Sequence, residues 1–132
     1  MDPFVKDMHT KSGLLDALAN DAIEKSSAWD VAEAAAEFIQ GHTHDTKGPM
    51  CGSSVHFDRA FIASNMPTLL NSFTRRNIDV STIKGLNEMW GGVPAPRNGE
   101  SQHRALPDLG DSINELKFYR DNVFVSDLAV HG

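Results

Sequence analysis

Apolar residues recur at helical spacing along much of the chain. In GLLDALANDAIE, residues 13–24, the aliphatic side chains follow a roughly helical period, and in AWDVAEAAAEFIQ, residues 28–40, they share one face of an alanine-rich segment. A third pattern begins near His103 or Pro107 and runs to about Tyr119. The spacing therefore predicts a helix in each of these three segments.

A short apolar run in the middle of the chain predicts a β-strand. The run MCGSSVHFD, residues 50–58, is predicted as a strand whose end delivers Asp58 to the start of a helix over residues 58–66. Residues 67–73 begin with a proline, which suits the first turn of another short helix.

A second strand is predicted for NIDV, residues 77–80, and is expected to be buried. Ser81 is then predicted to cap a helix that runs to about Trp90. Two segments rich in turn-forming or polar residues are predicted as loops: GHTHDTKG, residues 41–48, and GGVPAPRNGES, residues 91–101, the second of them mobile.

This order of elements predicts an α/β fold with too few strands for its helices. Two strands leave their outer edges unpaired, and they cannot cover the apolar faces of five or more helices. We therefore expect that a partner covers these surfaces or that the chain is a fragment of a larger domain.

Composition and charge restrict the possible functions. The 132 residues suffice for one domain, and 40% hydrophobic with 23% charged residues is ordinary for a folded protein. A net charge of −6 argues against capture of long nucleic acid, which needs a basic face, but not against very short oligomers. One cysteine, no bilayer-length apolar run and no secretory pattern at the N-terminus predict a soluble, cytoplasmic protein.

Three titratable residues occupy positions suited to catalysis. Asp58 follows the first predicted strand, His103 follows the second loop, and Asp108 begins the last helix. Carboxylates from separate elements can bind Mg²⁺ or Mn²⁺, and a histidine on a loop can act as a general base. Taken singly, each aspartate is better explained as a helix cap. His42 and His44 suggest zinc, but no further ligand stands at zinc spacing, which favours a solvated loop.

Four sequence blocks carry a resemblance to a known family, in that family's order and near its spacing. They are MHTKSGL at 8–14, GSSVHFDRAFIASNMPTL at 52–69, IDVSTIKGL at 78–86 and HRALPDLGDSINELKFYR at 103–120. These blocks resemble oligoribonuclease, of the DEDDh group of 3′→5′ exonucleases. The resemblance implies a ribonuclease-H-like exonuclease domain over residues 1–124, with its helices around the last two strands of the sheet, and a C-terminal tail over residues 125–132.

The resemblance also implies an activity and its catalytic residues. Enzymes of this family remove one nucleotide at a time from the 3′ end of very short RNAs, using two divalent metal ions, Mg²⁺ or Mn²⁺. Asp58 matches the family's middle metal-binding carboxylate and Asp108 the last. His103 matches the histidine that activates the attacking water. A homodimer in the cytoplasm is the implied state.

Further positions match the family's substrate-binding residues. His9, Ser54 and Arg76 match residues that hold the terminal 5′ phosphate. Arg75 stands where the family usually has a tyrosine that reaches the phosphate across the dimer; a guanidinium can still bind phosphate but does not stack as that ring does. Phe4 falls where a family aromatic packs near the substrate, although a hydrophobic plug is an equal explanation.

One family motif is absent from the sequence. The first metal-binding motif, D-x-E, is expected on a strand before Met1 together with the first strands of the sheet, and the 132 residues contain no D-x-E. We therefore expect this chain to be inactive by itself. Two alternatives remain open: a catalytically dead protein that binds oligonucleotides or pairs with an active subunit, and one half of a split exonuclease.

Overall fold

The computed structural model of the chain describes residues 1–22, 26–44, 46–96 and 105–124. Within these ranges the chain forms α-helices, two β-strands and one short 3-10 helix. In chain order these are α1 (Pro3–Lys11), α2 (Leu14–Ala19), α3 (Ala28–Thr43), β1 (Gly48–Gly52), α4 (Val55–Asn65), the 3-10 helix (Pro67–Ser72), β2 (Phe73–Asp79), α5 (Val80–Met89) and α6 (Ala105–Asn122).

The two strands form a small parallel sheet. Met50, Cys51 and Gly52 of β1 lie opposite Asn77, Ile78 and Asp79 of β2. The connection between the strands consists of α4 and the 3-10 helix, as parallel neighbours require. Because both strands end at the same level, α4 and α5 begin side by side at one edge of the sheet. The predicted α/β class and the excess of helices are confirmed in the described part of the chain.

The predicted end of the first strand is wrong. The strand stops at Gly52, and α4 already begins at Val55, so Asp58 lies in the first turn of a helix. The cause is a local turn: Ser54 adopts a left-handed backbone conformation, with φ 58° and ψ 38°, and redirects the chain. Such a residue cannot continue a strand.

The second strand also differs from its prediction. It begins at Phe73, and the side chains of residues 75–78 are exposed rather than buried, because β2 is an edge strand that pairs only with β1 among the described residues. Ser81 is not the cap of α5. The carboxylate of Asp79 takes that role and accepts a hydrogen bond from the Ser81 N–H at 3.0 Å.

The bounds of the helices near the N-terminus differ from their predictions. Helix α2 stops at Ala19, short of the predicted residue 24, and the Asn20 side chain accepts a hydrogen bond from the Ala22 N–H at 2.9 Å. Helix α3 starts with a reciprocal capping box between Ser27 and Asp30 and continues to Thr43, so it includes part of the predicted loop at 41–48. Helix α1 has no counterpart in the predictions.

The core is small for the apolar content of the chain. Six hydrophobic side chains are buried among the described residues: Ala32, Met50, Val55, Leu69, Val80 and Tyr119. Many large apolar side chains are exposed, and they include Trp29, Phe38, Phe57, Phe61, Met89, Trp90, Leu106 and Ile113. Exposed apolar surface of this extent is typical of proteins that associate. None of the described helices has the length and apolar character that crossing a bilayer requires.

The end of α5 is anchored by a buried polar side chain. Asn87 is 2% exposed, and its amide donates to the Val93 carbonyl at 2.9 Å. The Gly92 N–H donates to the Asn87 carbonyl at 2.8 Å, so the chain folds back tightly over this residue. A Cβ added at Gly92 would overlap the Asn87 carboxamide. This anchor fixes the first residues of the loop predicted at 91–101.

We expect Gly92→Ala to lower the free energy of unfolding by about 1–3 kcal/mol, the usual range for overpacking. Gly85→Ala is the matched control, since Gly85 lies on α5 with open space around its Cα. Alanine there should leave stability unchanged or raise it by up to about 1 kcal/mol, because it favours the helix. Urea unfolding followed by circular dichroism measures the stability of both variants. Equal unfolding midpoints for the two variants would contradict the close contact between Gly92 and Asn87.

Candidate functional site

The turn between β1 and α4 lies at the edge of the sheet where both strands end. The Ser54 N–H donates to Asp79 Oδ1 at 2.8 Å, which joins this turn to the end of β2. The Ser54 hydroxyl forms no hydrogen bond to the N-terminus of α4 and instead lies 3.1 Å from the Ser81 hydroxyl. Ser54 therefore presents a half-buried hydroxyl at the position where open α/β sheets bind their ligands.

Helix α6 reaches the same edge through a pair of serines. The hydroxyls of Ser53 and Ser112 lie 2.9 Å apart, and the Ser112 hydroxyl donates to the Asp108 carbonyl at 3.0 Å. The second turn of α6 thus lies against the turn that leads into α4. Asp58 is exposed in the first turn of α4, and Asp108 is half-buried in the first turn of α6.

The described residues do not complete a metal centre. No group of three or more histidine, cysteine, aspartate or glutamate side chains is close enough to hold a cation in the described ranges. His103, the predicted general base, lies outside those ranges. Asp58 and Asp108 alone supply fewer carboxylates than two divalent cations require.

The predicted arginines lie on an exposed strand that a neighbouring arginine holds in place. Arg75 and Arg76 are exposed on β2. From α4, the Arg59 guanidinium donates to Asn77 Oδ1 at 2.9 Å, to the Thr74 carbonyl at 2.9 Å and to the Arg76 carbonyl at 3.3 Å. Arg59 follows Asp58 directly, so the helix that carries a candidate metal ligand also fixes the strand that carries the candidate phosphate ligands.

The remaining substrate-binding candidates lie on α1. Phe4 is 76% exposed, and His9 Nδ1 is buried with no hydrogen-bond partner within the described part of the chain. Helix α1 packs mainly on α2, and no hydrogen bond or ion pair among the described residues joins it to Ser54. The structure thus leaves His9 and Ser54 unconnected.

The zinc hypothesis has no support in the geometry of the two histidines that suggested it. His42 lies in the last turn of α3, where its Nδ1 is 2.7 Å from the Phe38 carbonyl and its ring stacks on the Phe38 ring at 4.1 Å. His44 follows in a left-handed conformation at the end of the helix. Among the described residues no third ligand approaches them.

A buried tyrosine positions α6 against α5. Tyr119 is 1% exposed, and its hydroxyl donates to Glu115 Oε1 at 3.1 Å. Glu115 also lies 3.9 Å from Lys84 Nζ on α5. Burial raises the pKa of Tyr119 above its ordinary value, and the neighbouring Glu115 carboxylate adds to the increase, because ionisation would place two negative charges together.

The raised pKa of Tyr119 predicts a loss of stability in alkali. The folded protein retains the phenol proton more tightly than the unfolded chain, so this stabilisation is complete below pH 10.0 and declines as pH rises through the folded-state pKa. Tyr119 is the one tyrosine of the chain. Tyrosinate absorbance should therefore titrate above 10.0 in the folded protein and near 10.0 in urea. If tyrosinate formed at the same pH in the folded protein and in urea, the burial of Tyr119 beside Glu115 would be contradicted.

Sequence reasoning missed Arg59 and Asp79. An arginine beside a candidate carboxylate carries no distinguishing pattern, so Arg59 gave no signal. Asp79 offered one, since aspartate is as good a helix cap as serine and stands two residues before Ser81. Its contact with the Ser54 N–H, however, connects residues distant in the sequence and required the structure.

These features define an α/β protein with a polar site at the carboxyl edge of a parallel strand pair. Comparison with known proteins identifies the group, since curated proteins named oligoribonuclease match nearly the whole chain. The one from Nitrosomonas europaea is 38% identical over 125 residues, covering 94% of this chain and 67% of that protein. Those from Bordetella pertussis and Chromobacterium violaceum are each 37% identical, over 126 and 125 residues, and cover 93% and 92% of this chain.

The chain belongs to the oligoribonuclease family, a family of nucleases, and the resemblance predicted from its sequence blocks is confirmed. It spans about two thirds of the length of these relatives, 67% of the first two and 66% of the third. No model of a known protein family matches the chain.

Proposed function

We propose that this chain is part of a 3′→5′ exoribonuclease that releases nucleoside monophosphates from very short RNA oligomers. The observation that carries the proposal is the 38% identity, over 125 residues, to a protein named oligoribonuclease. The acidic net charge of −6 is compatible with this substrate, because an oligomer of a few nucleotides offers few phosphates and needs no extended basic face.

The catalytic part of the proposal rests on three residues. Asp58 and Asp108 contribute carboxylates to a site for Mg²⁺ or Mn²⁺, and His103 acts as general base toward the attacking water. Two bound cations would stabilise the attacking and leaving oxygens of phosphoryl transfer. The contact between Ser53 and Ser112 supports this assignment, since it joins the segments that carry the two aspartates.

The substrate part of the proposal assigns the terminal 5′ phosphate to a different set of side chains. Ser54 supplies a hydroxyl at the edge of the sheet, and Arg75 and Arg76 supply positive charge from β2. His9 contributes a ring nitrogen from α1, and the exposed Phe4 ring lies along the base or fills an apolar gap beside it. Recognition of a terminal phosphate would restrict the enzyme to substrates a few nucleotides long.

The proposed site has two carboxylates, those of Asp58 and Asp108, and the 132 residues contain no D-x-E motif. Two cations close together require several carboxylates to offset their mutual repulsion, and the family's D-x-E motif would supply two of them. We expect the 132-residue chain to lack activity by itself and to gain it when a polypeptide with that motif completes the sheet. A homodimer in the cytoplasm is the working state we propose.

A second candidate function follows from the lack of D-x-E together with the exposed apolar side chains. The chain could bind oligonucleotides without cutting them, or pair with an active subunit through that apolar surface. A general base at His103 has no purpose in such a protein, which makes this the weaker candidate.

The proposal is tested with a labelled RNA dinucleotide and Mn²⁺. The chain alone should release no mononucleotide, and the chain mixed with a polypeptide that carries the family's D-x-E strand should release it in a metal-dependent reaction. Turnover by the chain alone would contradict the expected dependence on D-x-E. Tight binding of the dinucleotide, with no turnover even in the mixture, would favour the binding protein.

A further inference from the structure

The geometry points to Asp79 as a positioning residue for the terminal-phosphate contact of Ser54. The inference rests on the proposed function, which places the Ser54 hydroxyl at that phosphate. Asp79 acts through its hydrogen bonds to the backbone and has no direct contact with the substrate. Its role is to hold the Ser54 hydroxyl in the orientation that recognises a 5′-phosphorylated RNA end.

The backbone of Ser54 needs an external constraint. Its φ of 58° lies in the left-handed region, which residues other than glycine rarely occupy and which is unfavourable for them. A long-range hydrogen bond of 2.8 Å from the Ser54 N–H to Asp79 Oδ1 holds this conformation. Without that acceptor, the turn would be free to relax to a more ordinary conformation.

The conformation of Ser54 determines what its hydroxyl can do. A serine before a helix usually turns its hydroxyl toward the free N–H groups of the first turn. Ser54 forms no such bond to α4, and its hydroxyl lies 3.1 Å from the Ser81 hydroxyl instead. The hydroxyl thus remains at the edge of the sheet, where it can bind a ligand.

A single carboxylate oxygen fixes both serines. Asp79 Oδ1 accepts from the Ser54 N–H and, at 3.0 Å, from the Ser81 N–H at the start of α5. Asp79 is the last residue of β2 and lies opposite Gly52, the last residue of β1. Its side chain is 17% exposed. The ends of both strands and the starts of both helices therefore share one acceptor.

The charge of Asp79 makes a direct contact with phosphate unfavourable. Two N–H groups already occupy Oδ1, and Oδ2 lies 4.0 Å from His56 Nδ1. Positive charge for the phosphate comes from Arg76, three residues earlier on β2. Asp79 is therefore suited to orienting the neighbouring groups and unsuited to binding an anion itself.

The test measures the affinity of the 132-residue chain for an RNA dinucleotide with and without a 5′ phosphate, by NMR titration of the ¹⁵N-labelled protein. The ratio of the two affinities is the phosphate preference. We expect a preference of about tenfold for the natural chain, since a hydrogen bond to a charged group is worth about that factor. Asp79→Ala should reduce the preference at least about threefold while the contribution of Arg76 remains, with the affinity for the unphosphorylated dinucleotide changed less than about twofold.

Two substitutions separate the role of the acceptor from a general effect on folding. Asp79→Asn keeps an oxygen at the position of Oδ1 and should retain most of the preference. Asp30→Ala is the matched control, because the Asp30 carboxylate also accepts a backbone hydrogen bond at a helix start, in the capping box of α3, away from the strand ends. It should leave the preference unchanged. In the double variant Ser54→Ala with Asp79→Ala, the preference should be no lower than in Ser54→Ala, because both changes remove the same contact.

The outcomes distinguish this inference from the proposed function beneath it. If the natural chain shows no phosphate preference, the proposed phosphate contacts and the role of Asp79 are both overturned. If the natural chain shows the preference and Asp79→Ala keeps it, only the role of Asp79 is overturned. Should Asp79→Ala fail to fold, Asp79→Glu decides: it retains the charge but displaces the acceptor by a methylene, so an unchanged preference would refute the inference.

Discussion

Asp58→Asn should reduce cleavage of an RNA dinucleotide by about 10³-fold or more in the preparation completed with a D-x-E polypeptide. A bound metal contributes several kcal/mol to stabilising the transition state, and about 1.4 kcal/mol corresponds to a factor of ten in rate. Asparagine keeps the shape of the side chain in the first turn of α4 but removes the negative charge that holds the cation. The rate of mononucleotide release at saturating Mn²⁺ measures the effect.

Asp111→Asn is the matched control for this loss. Asp111 is exposed on α6, one turn after Asp108, and has no part in the proposed site. Its substitution removes the same charge from the same region and should change the rate by less than about twofold. Equal rates for Asp58→Asn and Asp111→Asn would contradict the assignment of Asp58 as a metal ligand.

The second large effect is expected at the core. Tyr119→Ala removes the largest fully buried side chain and should lower the free energy of unfolding by about 3–5 kcal/mol. Domains are stable by only about 5–15 kcal/mol, and this core is small, so the substitution should remove a large part of the stability and lower the unfolding midpoint strongly. The loss also detaches the helix that carries Asp108. Circular dichroism of the purified variant measures the helical content directly.

Trp29→Ala provides the comparison. Trp29 is also a large aromatic residue, but its side chain is 66% exposed on α3. Removing it should alter stability by no more than about 0.5 kcal/mol. If both substitutions lowered the free energy of unfolding equally, the packing of α6 against α5 through Tyr119 would be contradicted.

Periodicity predicted the helices better than it predicted their ends. The apolar face of residues 28–40 correctly indicated α3, because an amphipathic helix repeats its pattern over many residues. The ends depend on single local contacts instead. Ser54 in a left-handed turn and the cap supplied by Asp79 each moved a boundary, and neither leaves a periodic signature in the sequence.

The burial of β2 could not be predicted from its own residues. Its sequence is compatible with a covered strand, but whether a strand is covered depends on the elements that pack on it. In the described part of the chain the sheet has two strands, and Ile78 remains exposed. The expectation that unpaired edges and uncovered apolar faces would remain is confirmed for the described residues, whereas a homodimer that covers them stays a prediction.

For the candidate site too, some features could be predicted from the sequence and others required the structure. Asp58, Asp108 and Ser54 could be named from the sequence blocks, since each block carries its own residues in a fixed order. The contact between Ser53 and Ser112 could not be predicted in this way, because it joins two segments that are distant in the sequence. The positions of Asp79 and Arg59 depend likewise on contacts between distant segments.

Mn²⁺ titration of the ¹⁵N-labelled chain tests the central claim, that Asp58 and Asp108 share one half of a metal site. A paramagnetic ion broadens the signals of nearby amides, so the account predicts that the first turns of α4 and α6 broaden together at the same Mn²⁺ concentration. Asp58→Asn should weaken the broadening in both helices. Broadening confined to one of the two helices, or centred on His42 and His44, would contradict the account.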